Sequence, residues 1–253
     1  MEIKAKTQEL IKMSRCADIS DALDSMGLQD MYCMSPNMRP LIPQTRFCGV
    51  VRTLEFIKTD EKMLYMEYEV FEKKQYARKK DGGYNHHDDL GNPGIFDEMV
   101  NVINGVGKGD VLVCACHGLI GGVWGSENMH SLVNKGLEGL VFDGFMRDTD
   151  ECIIQKIPVF STGISYIHPM GRLKGLSADK PVVCADVYVC PGDMLLADHD
   201  GVIVIPARYA DEVAYRSYKI QQIDRVNRRR NYEKAGMPFD ETVELLPDLD
   251  RWF

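Results

Sequence analysis

The spacing of hydrophobic and polar positions predicts that the chain opens with helices and then enters a sheet. The apolar residues between positions 2 and 16 recur at helical spacing, and residues 18–23 continue that pattern up to Gly27. Between residues 46 and 57 the period changes to two and β-branched side chains become frequent. We therefore expect two short amphipathic helices followed by the first core strand.

Further along, apolar runs alternate with helical patterns. Helical patterns are predicted over residues 96–103 and beyond Ala207, the latter ending at Arg228-Arg229-Arg230. Buried strands are predicted at 111–116, 139–142 and 158–160, and a run of strands over 180–206 is broken at 191–193 and 199–201. The order predicts a mixed α/β protein.

Glycines crowd the segment between the strand at 111–116 and the next helix. They end at Gly125, and Ser126 is predicted to be the N-cap of a helix that stops before Gly136. The free N–H groups at the start of such a helix bind anions. This segment is therefore a candidate binding element.

Composition narrows the class of protein. The 253 residues are 45% hydrophobic, enough for a sizeable core, and the formal net charge of -8 argues against nucleic-acid binding. Eight cysteines without C-x-x-C pairs and the lack of an apolar signal segment predict reduced thiols in the cytoplasm. The run Val111–Cys116 is far shorter than the roughly 20 residues that span a bilayer, so no membrane segment is expected.

The Arg228-Arg229-Arg230 triplet is interpreted as a complement to the helix dipole or to acids of a neighbouring subunit.

The densest polar group follows the strand at 139–142. Asp143-Gly144 and then Arg147-Asp148-Thr149-Asp150-Glu151 stand where α/β sheets form binding crevices. Arg147 suits a carboxylate through two parallel N–H donors, and Asp148 suits a hard cation such as Mg²⁺. Together they suit a 2-oxo acid. The alternative is a helix cap beside a surface salt bridge.

Other candidates each have a structural alternative. His86-His87-Asp88-Asp89 is a metal site or a solvated loop, and the tyrosine-rich segment around it is a candidate lid. Cys114 and Cys116, with His117, are a zinc or thiolate site or small buried hydrophobic residues. His130 and His168 are candidate general bases or structural residues.

Short motifs recur in a fixed order between Cys16 and Pro206. They are Cys16-Ala17-Asp18-Ile19-Ser20-Asp21-Ala22-Leu23, Gly107-Lys108-Gly109-Asp110-Val111-Leu112-Val113, Gly125 with Gly136 and Gly139, Asp143-Gly144-Phe145-Met146-Arg147-Asp148, Pro158-Val159-Phe160, Pro191-Gly192-Asp193 and Ala197-Asp198-His199-Asp200-Gly201-Val202. In this order the motifs resemble the RraA-like family, which includes the 4-hydroxy-4-methyl-2-oxoglutarate aldolases.

The resemblance implies a compact β/β/α domain of RraA type, similar to phosphohistidine-swivelling domains. Residues 1–253 are then one domain, with an insertion at about 58–90 and a C-terminal helical extension at about 207–253. The resemblance further implies homotrimers or hexamers with sites between subunits, and a Mg²⁺ or Mn²⁺ ion.

Individual roles also follow from the resemblance. Arg147 matches the residue that binds the substrate carboxylate, and Asp148 matches the metal ligand. Backbone N–H groups after Gly125, at Ser126, Glu127 and Asn128, are expected to bind substrate oxygens. The family's acidic residue that holds a catalytic water corresponds to Ser126. Neighbouring Glu127 is the candidate replacement, although one residue turns a helix by about 100°.

Lys174 in Gly171-Arg172-Leu173-Lys174 matches a lysine near the pyruvyl methyl group if residues near 166–169 are inserted. Its alternative is an exposed loop lysine. The predicted function is a divalent-metal-dependent carbon–carbon lyase that cleaves a small 2-oxo acid and releases pyruvate or a related 2-oxo acid. With Ser126 in place of an acid, decarboxylation is easier to support than aldol cleavage. The alternatives are a non-catalytic regulatory binding protein of RraA type, and a related lyase, such as a dehydratase, or an isomerase on a different acid.

Overall fold

The structure, a computed structural model, describes residues 3–60, 62, 65–70 and 97–248. Most of the predicted insertion at 58–90 lies outside these residues. The same is true of the His86-His87-Asp88-Asp89 cluster, so the metal and lid interpretations stay predictions.

The strands of the main sheet surround one long central strand. The strands are β1 Arg39–Pro40, β2 Phe47–Lys58, β3 Asp110–Ala115, β4 Gly139–Met146, β5 Val159–Ile164, β6 Leu173–Ala178, β9 Met194–Asp198 and β10 Gly201–Ile205, while β7 Val182–Cys184 and β8 Val187–Val189 form a separate hairpin. The order in the main sheet is β1-β5-β4-β3-β2-β9-β10. Because β2 has 12 residues, its first half pairs with β9 and its second half with β6.

Four neighbouring strands run in the same direction. β2 pairs with β3, β3 with β4 and β4 with β5, all parallel, whereas the pairs with β1, β6, β9 and β10 are antiparallel. The segments that leave β3, β4 and β5 therefore start at one edge of the sheet. This edge carries the predicted binding residues, and the predicted mixed α/β class is confirmed.

Helices cover both faces of the parallel strands. They are α1 Ala5–Met13, α2 Cys16–Asp24, α3 Asp97–Gly105, α4 Ser126–Asn134, α5 Thr149–Ile154 and α6 Ala210–Ala235. Val111 and Val113 of β3 join a core with α1, α2 and α6, whereas Leu112 and Cys114 face α3 and α4. A strand buried on both faces reads as a continuous apolar run, which explains the sequence of β3.

The expectation that β4 ends before Asp143 is wrong. β4 continues to Met146, with a register irregularity between Phe142 and Phe145, and Asp143 is buried within it. Its carboxylate accepts the backbone N–H groups of Cys116, His117 and Ala185. These hydrogen bonds compensate for the burial of the carboxylate. Asp143 therefore has a structural role at this edge of the sheet.

Three other local expectations are corrected. Residues 173–178 form strand β6, which the sequence did not predict, because pairing with β2 outweighs their local pattern. The N-cap of α4 is Gly125, and Ser126 is already its first helical residue. The C-terminal helix extends past Arg230 to Ala235, where Gly236 in a left-handed conformation ends it.

The C-terminal helix α6 is part of the main body of the described chain, since it packs against α1 and α2. None of the described helices has the length and apolar character needed to cross a membrane. All eight cysteines are free thiols. The interpretation of residues 1–253 as one domain stays a prediction.

A buried carboxylate joins α2 to α6. Asp18 is 1% exposed and accepts hydrogen bonds from the backbone and guanidinium of Arg15 and from Gln221. We expect Asp18→Ala to lower the free energy of unfolding by about 1–3 kcal/mol, because it removes the buried acceptor of these hydrogen bonds, although Arg15 keeps its contact with Asp224.

Chemical denaturation measures this change. Asp21→Ala, at an exposed position on the same helix, is the matched control and should change stability by less than about 0.5 kcal/mol. Equal losses in the two variants would contradict the role of Asp18.

Candidate active site at the end of strand β4

Arg147 and Asp148 lie where β4 ends and α5 begins. The backbone N–H of Arg147 donates to the carbonyl of Trp124 at 3.0 Å, which ties the end of β4 to the glycine-rich segment before α4. The guanidinium Nε of Arg147 donates to Oδ1 of Asp148 at 3.1 Å. The two predicted site residues are therefore in direct contact.

The backbone of Asp148 is left-handed, with φ 52° and ψ 40°. Aspartate is one of the few residues that adopt this conformation readily. Asp148 stands at the N-cap position of α5, but its side chain makes no capping hydrogen bond. The carboxylate is turned toward Arg147 and Gly125, so the helix-cap alternative does not account for it.

Two glycines allow this arrangement. A Cβ on Gly125 would collide with Oδ2 of Asp148 and lie 3.1 Å from Cγ of Arg147. A Cβ on Gly122 would lie 2.8 Å from Cβ of Arg147 and 2.9 Å from the carbonyl oxygen of Ser165. A larger residue at position 122 would thus meet fixed backbone, and one at position 125 would require the Asp148 carboxylate to move.

Both side chains are accessible to a ligand. The side chain of Arg147 is 31% exposed and that of Asp148 is 36% exposed. An exposed ion pair contributes little stability by itself. The Nη1 and Nη2 groups of Arg147 make no hydrogen bond within the described chain, which leaves the fork of the guanidinium available for an oxyanion.

The first turn of α4 lies beside this pair. The first hydrogen bond of the helix runs from Met129 N–H to Gly125 carbonyl, so the N–H groups of Ser126, Glu127 and Asn128 have no partner within the helix. Glu127 is exposed, and Ser126 and Asn128 are half-buried. This turn supplies the free N–H donors that the sequence analysis placed next to Arg147.

The carboxylate of Asp148 is an accessible candidate ligand for a divalent cation. Across the described ranges, no group of three or more His, Cys, Asp or Glu side chains is arranged to hold a metal ion. Mg²⁺ usually keeps several waters and binds one or two carboxylates together with substrate oxygens. A single accessible carboxylate beside a carboxylate-binding arginine fits such an ion only when substrate completes the coordination.

Lys174 makes no hydrogen bond or ion pair with Arg147 or Asp148 within the described residues. It is half-buried on β6 and pairs with Ile57 of β2, so the alternative of an exposed loop lysine is wrong. The preceding Leu173 packs near Gly121, and successive strand residues point to opposite faces. Lys174 therefore lies on the face of β6 away from the glycine-rich segment.

The cysteines near the site are not activated. Cys114 and Cys116 are buried, their sulfurs are 3.7 Å apart, and burial raises the pKa of Cys184 well above its usual range. Burial and the charges of Asp148 and Glu151 raise the pKa of Cys152 to about 11. Cys152 and Cys184 are therefore neutral thiols near neutral pH, while Cys114 and Cys116 pack as small core residues.

The sequence analysis missed a polar cluster on the neighbouring strands. His117 Nε2 and Glu55 Oε1 are 3.1 Å apart, and Ser177 Oγ donates to Glu55 Oε2 at 3.2 Å. The pairing of β2 with β3 and β6 brings these residues together, so no local sequence pattern predicts the cluster. Of the other histidines considered, His130 is exposed on α4 and His168 Nδ1 accepts the N–H of Met170.

Comparison with known proteins identifies the family. A family model described as RraA-like, Aldolase/RraA, matches residues 16–204. The chain belongs to the RraA-like family. The resemblance inferred from the ordered motifs is thereby confirmed, and the matched range includes Gly125, Arg147, Asp148 and Lys174.

Relatives in this family carry different names. Protein DlpA of Legionella pneumophila is 27% identical over 85% of this chain, which covers 29% of the DlpA length. A Deinococcus radiodurans protein named "Putative 4-hydroxy-4-methyl-2-oxoglutarate aldolase" is 37% identical over 43% of this chain and 61% of its own length. The chain thus spans less than a third of DlpA and about three-fifths of the Deinococcus protein.

Solved structures share the fold. An uncharacterised protein from Pseudomonas syringae aligns with a TM-score of 0.71 at 23% identity, covering 96% of this chain and 100% of that one. RraAS2 of Streptomyces coelicolor, described as an unusual member of the RNase ES inhibitor RraA protein family, aligns with a TM-score of 0.69 at 21% identity, covering 90% and 98%. The predicted RraA-type fold is confirmed.

The close approach of Gly125 to Asp148 yields a steric test. Gly125 has φ -140°, so alanine strains no backbone, and the cost is steric, because the new Cβ meets the Asp148 carboxylate and Cγ of Arg147. We expect Gly125→Ala to lower the free energy of unfolding by about 1–3 kcal/mol through overpacking.

Gly201→Ala is the matched control, since a Cβ there meets no atom within 4 Å. Urea denaturation of both variants measures the difference. A Gly125→Ala protein as stable as Gly201→Ala would contradict the tight approach.

Proposed function

We propose that this protein is a divalent-metal-dependent carbon–carbon lyase that acts on a small 2-oxo acid and releases pyruvate or a related 2-oxo acid. The observation that carries the proposal is the contact between Arg147 and Asp148 beside Gly125, with both side chains accessible. The membership of the chain in the RraA-like family, and the aldolase names of several relatives, support it.

Arg147 binds the substrate carboxylate in this proposal. Its Nε is held by Asp148, which fixes the plane of the guanidinium, while its two Nη groups remain available. Two parallel N–H donors match the two oxygens of a carboxylate. The reacting carbon is thereby held at a fixed distance from the end of β4.

Asp148 would hold the cation, Mg²⁺ or Mn²⁺, which when bound would withdraw electrons from the 2-oxo group and the carboxylate. The N–H groups of Ser126, Glu127 and Asn128 would donate to other oxygens of the substrate. Negative charge that develops on the 2-oxo oxygen is then balanced by Arg147 and these donors.

The bond that breaks joins C3 and C4 of the substrate. Its electron pair stays on the pyruvyl part as an enolate, which takes up a proton at C3 to give the 2-oxo acid. In aldol cleavage the C4 hydroxyl loses its proton and becomes a carbonyl. In decarboxylation the C4 carboxylate leaves as CO₂.

Two residues are assigned to proton transfer. Glu127, exposed in the first turn of α4, takes the hydroxyl proton through water in aldol cleavage, although Ser126 occupies the family's acidic position. Lys174 is assigned to the pyruvyl methyl group on the family resemblance alone, since it lies on the face of β6 away from the glycine-rich segment. Decarboxylation needs no hydroxyl deprotonation, so it places fewer demands on these residues.

The proposal includes a homotrimer or hexamer with sites between subunits. Large apolar side chains are exposed on the segments that flank Arg147 and Asp148: Ile164, which pairs with Met146, is 64% exposed, Tyr166 is 91% exposed, and Ile154 at the end of α5 is 80% exposed. Clustered exposed apolar side chains mark protein interfaces more often than free surface. A neighbouring subunit that covers these side chains would exclude water from the site.

Pyruvate release tests the proposal. Purified protein is incubated with 4-hydroxy-2-oxo acids and with oxaloacetate, with Mg²⁺, with Mn²⁺ or with a chelator. We expect metal-dependent release that Asp148→Asn abolishes, because an amide is a poor ligand for a hard cation. Asp150→Asn, two residues away and exposed on the same helix, is the matched control and should retain activity.

Arg147→Lys tests the carboxylate role separately. We expect at least a tenfold loss of kcat/KM, about 1.4 kcal/mol or more, because lysine cannot form two parallel bonds. Unchanged kinetics would contradict bidentate binding. No release from any substrate by the folded wild-type protein would refute the lyase proposal and favour a regulatory binding role.

A further inference from the structure

A cavity of about 480 Å³ lies far along the chain from the candidate active site. It is lined by Arg15, Arg225, Arg228, Tyr232, Glu241 and Thr242. The wall is formed by the start of α2, the second half of α6 and the segment that follows α6. Its volume is within the range of cavities that bind small molecules.

Arg225 and Arg228 use only some of their N–H donors in hydrogen bonds within the protein. Nη1 of Arg225 donates to the carbonyls of Glu241 and Glu244, and Nη1 of Arg228 donates to the carbonyl of Thr242. A guanidinium has five N–H donors. Nε and Nη2 of both residues have no partner within the described chain, and both side chains are half-buried.

The carboxylates near the cavity are mostly engaged elsewhere. Asp18 and Asp224 pair with Arg15 at one end of it. Asp240 accepts from Thr242 and from the Tyr232 hydroxyl, and these hydrogen bonds together with the charge of Arg228 lower the pKa of its carboxyl. Glu241 is the carboxylate on the wall itself, and its side chain has no hydrogen bond or ion pair within the described residues.

We propose that this cavity binds a small organic oxyanion, a carboxylate or a phosphate ester, between Arg225 and Arg228. Backbone carbonyls fix the two guanidinium groups through Nη1 alone, so Nε and Nη2 of each form a preformed fork for an oxyanion, and among the described residues only Arg228 of the two interacts with a nearby carboxylate, that of Asp240. Tyr232 supplies an aromatic wall for the rest of the ligand, and the Thr242 side chain supplies a hydroxyl. The site is separate from Arg147 and Asp148 and does not depend on the proposed lyase activity.

A ligand here would join elements that are distant in sequence. Arg15 starts α2, Arg225 and Arg228 lie on α6, and Glu241 and Thr242 belong to the C-terminal segment. Binding would therefore stabilise the attachment of the C-terminal segment to α6. The expected consequence is a rise in Tm with ligand concentration, as for any ligand that binds the folded state alone.

Calorimetric titration of the full chain tests the proposal. The probes are pyrophosphate and succinate, which distinguish phosphate from carboxylate ligands, and glycerol as a neutral control. We expect saturable binding of at least one of the two anions that weakens as salt is added, and none of glycerol. Absence of saturable binding for both anions would overturn the proposal.

Variants locate the binding. Glu241→Gln removes the carboxylate from the wall while leaving its backbone carbonyl to Arg225, so we expect anion affinity to rise about three- to tenfold. Arg228→Gln should weaken binding at least tenfold. Arg230→Gln removes the same charge from an exposed position of α6 outside the lining, and it should change affinity less than twofold.

The direction of the Glu241→Gln effect keeps the test decisive if Arg228→Gln fails to fold. Unchanged or weaker anion binding in Glu241→Gln would overturn the proposed site. Equal weakening in Arg228→Gln and Arg230→Gln would also overturn it, because it would show a general charge effect.

Discussion

The parallel pairing of β2, β3, β4 and β5 is the constraint on which the rest of the structure depends. Because these strands run in one direction and are buried on both faces, helices must cover both sides and the connecting segments must leave at common edges. The segment after β3, the Arg147–Asp148 pair after β4 and the segment after β5 therefore meet at one place. The candidate active site is a consequence of this topology.

At that edge of the sheet, the glycine-rich segment lies close to the end of β4. Gly122 and Gly125 bring the main chain against Arg147 and Asp148. This contact places the free N–H groups of α4 beside a guanidinium and a carboxylate. The backbone at Asp148 is left-handed, and its carboxylate does not cap α5 but faces Arg147 and Gly125. The proposed function therefore depends on hydrogen-bond donors and a carboxylate that the packing of these segments brings together.

Much of this arrangement was predictable from sequence, because its signals are local. The apolar run of β3, the glycines before α4 and the polar group after β4 each lie within a short stretch, and their order identified the family. What depends on pairing between distant segments was missed. Strand β6, the burial of Asp143 and the His117–Glu55 contact all follow from sheet partners that no local pattern specifies. The cavity lined by Arg15 and Arg228 was also missed, because its lining comes from segments that are distant in sequence.

The most direct test of the central claim is the position of a bound ion in a crystal of the protein grown with Mn²⁺ and pyruvate. Anomalous diffraction at the manganese edge locates the ion without reference to activity. We expect one strong peak within coordination distance of the Asp148 carboxylate, with the pyruvate carboxylate on the Nη groups of Arg147. A peak elsewhere, for example at His117 and Glu55, with Asp148 still paired to Arg147 alone, would contradict the assignment of this edge as the metal-dependent active site.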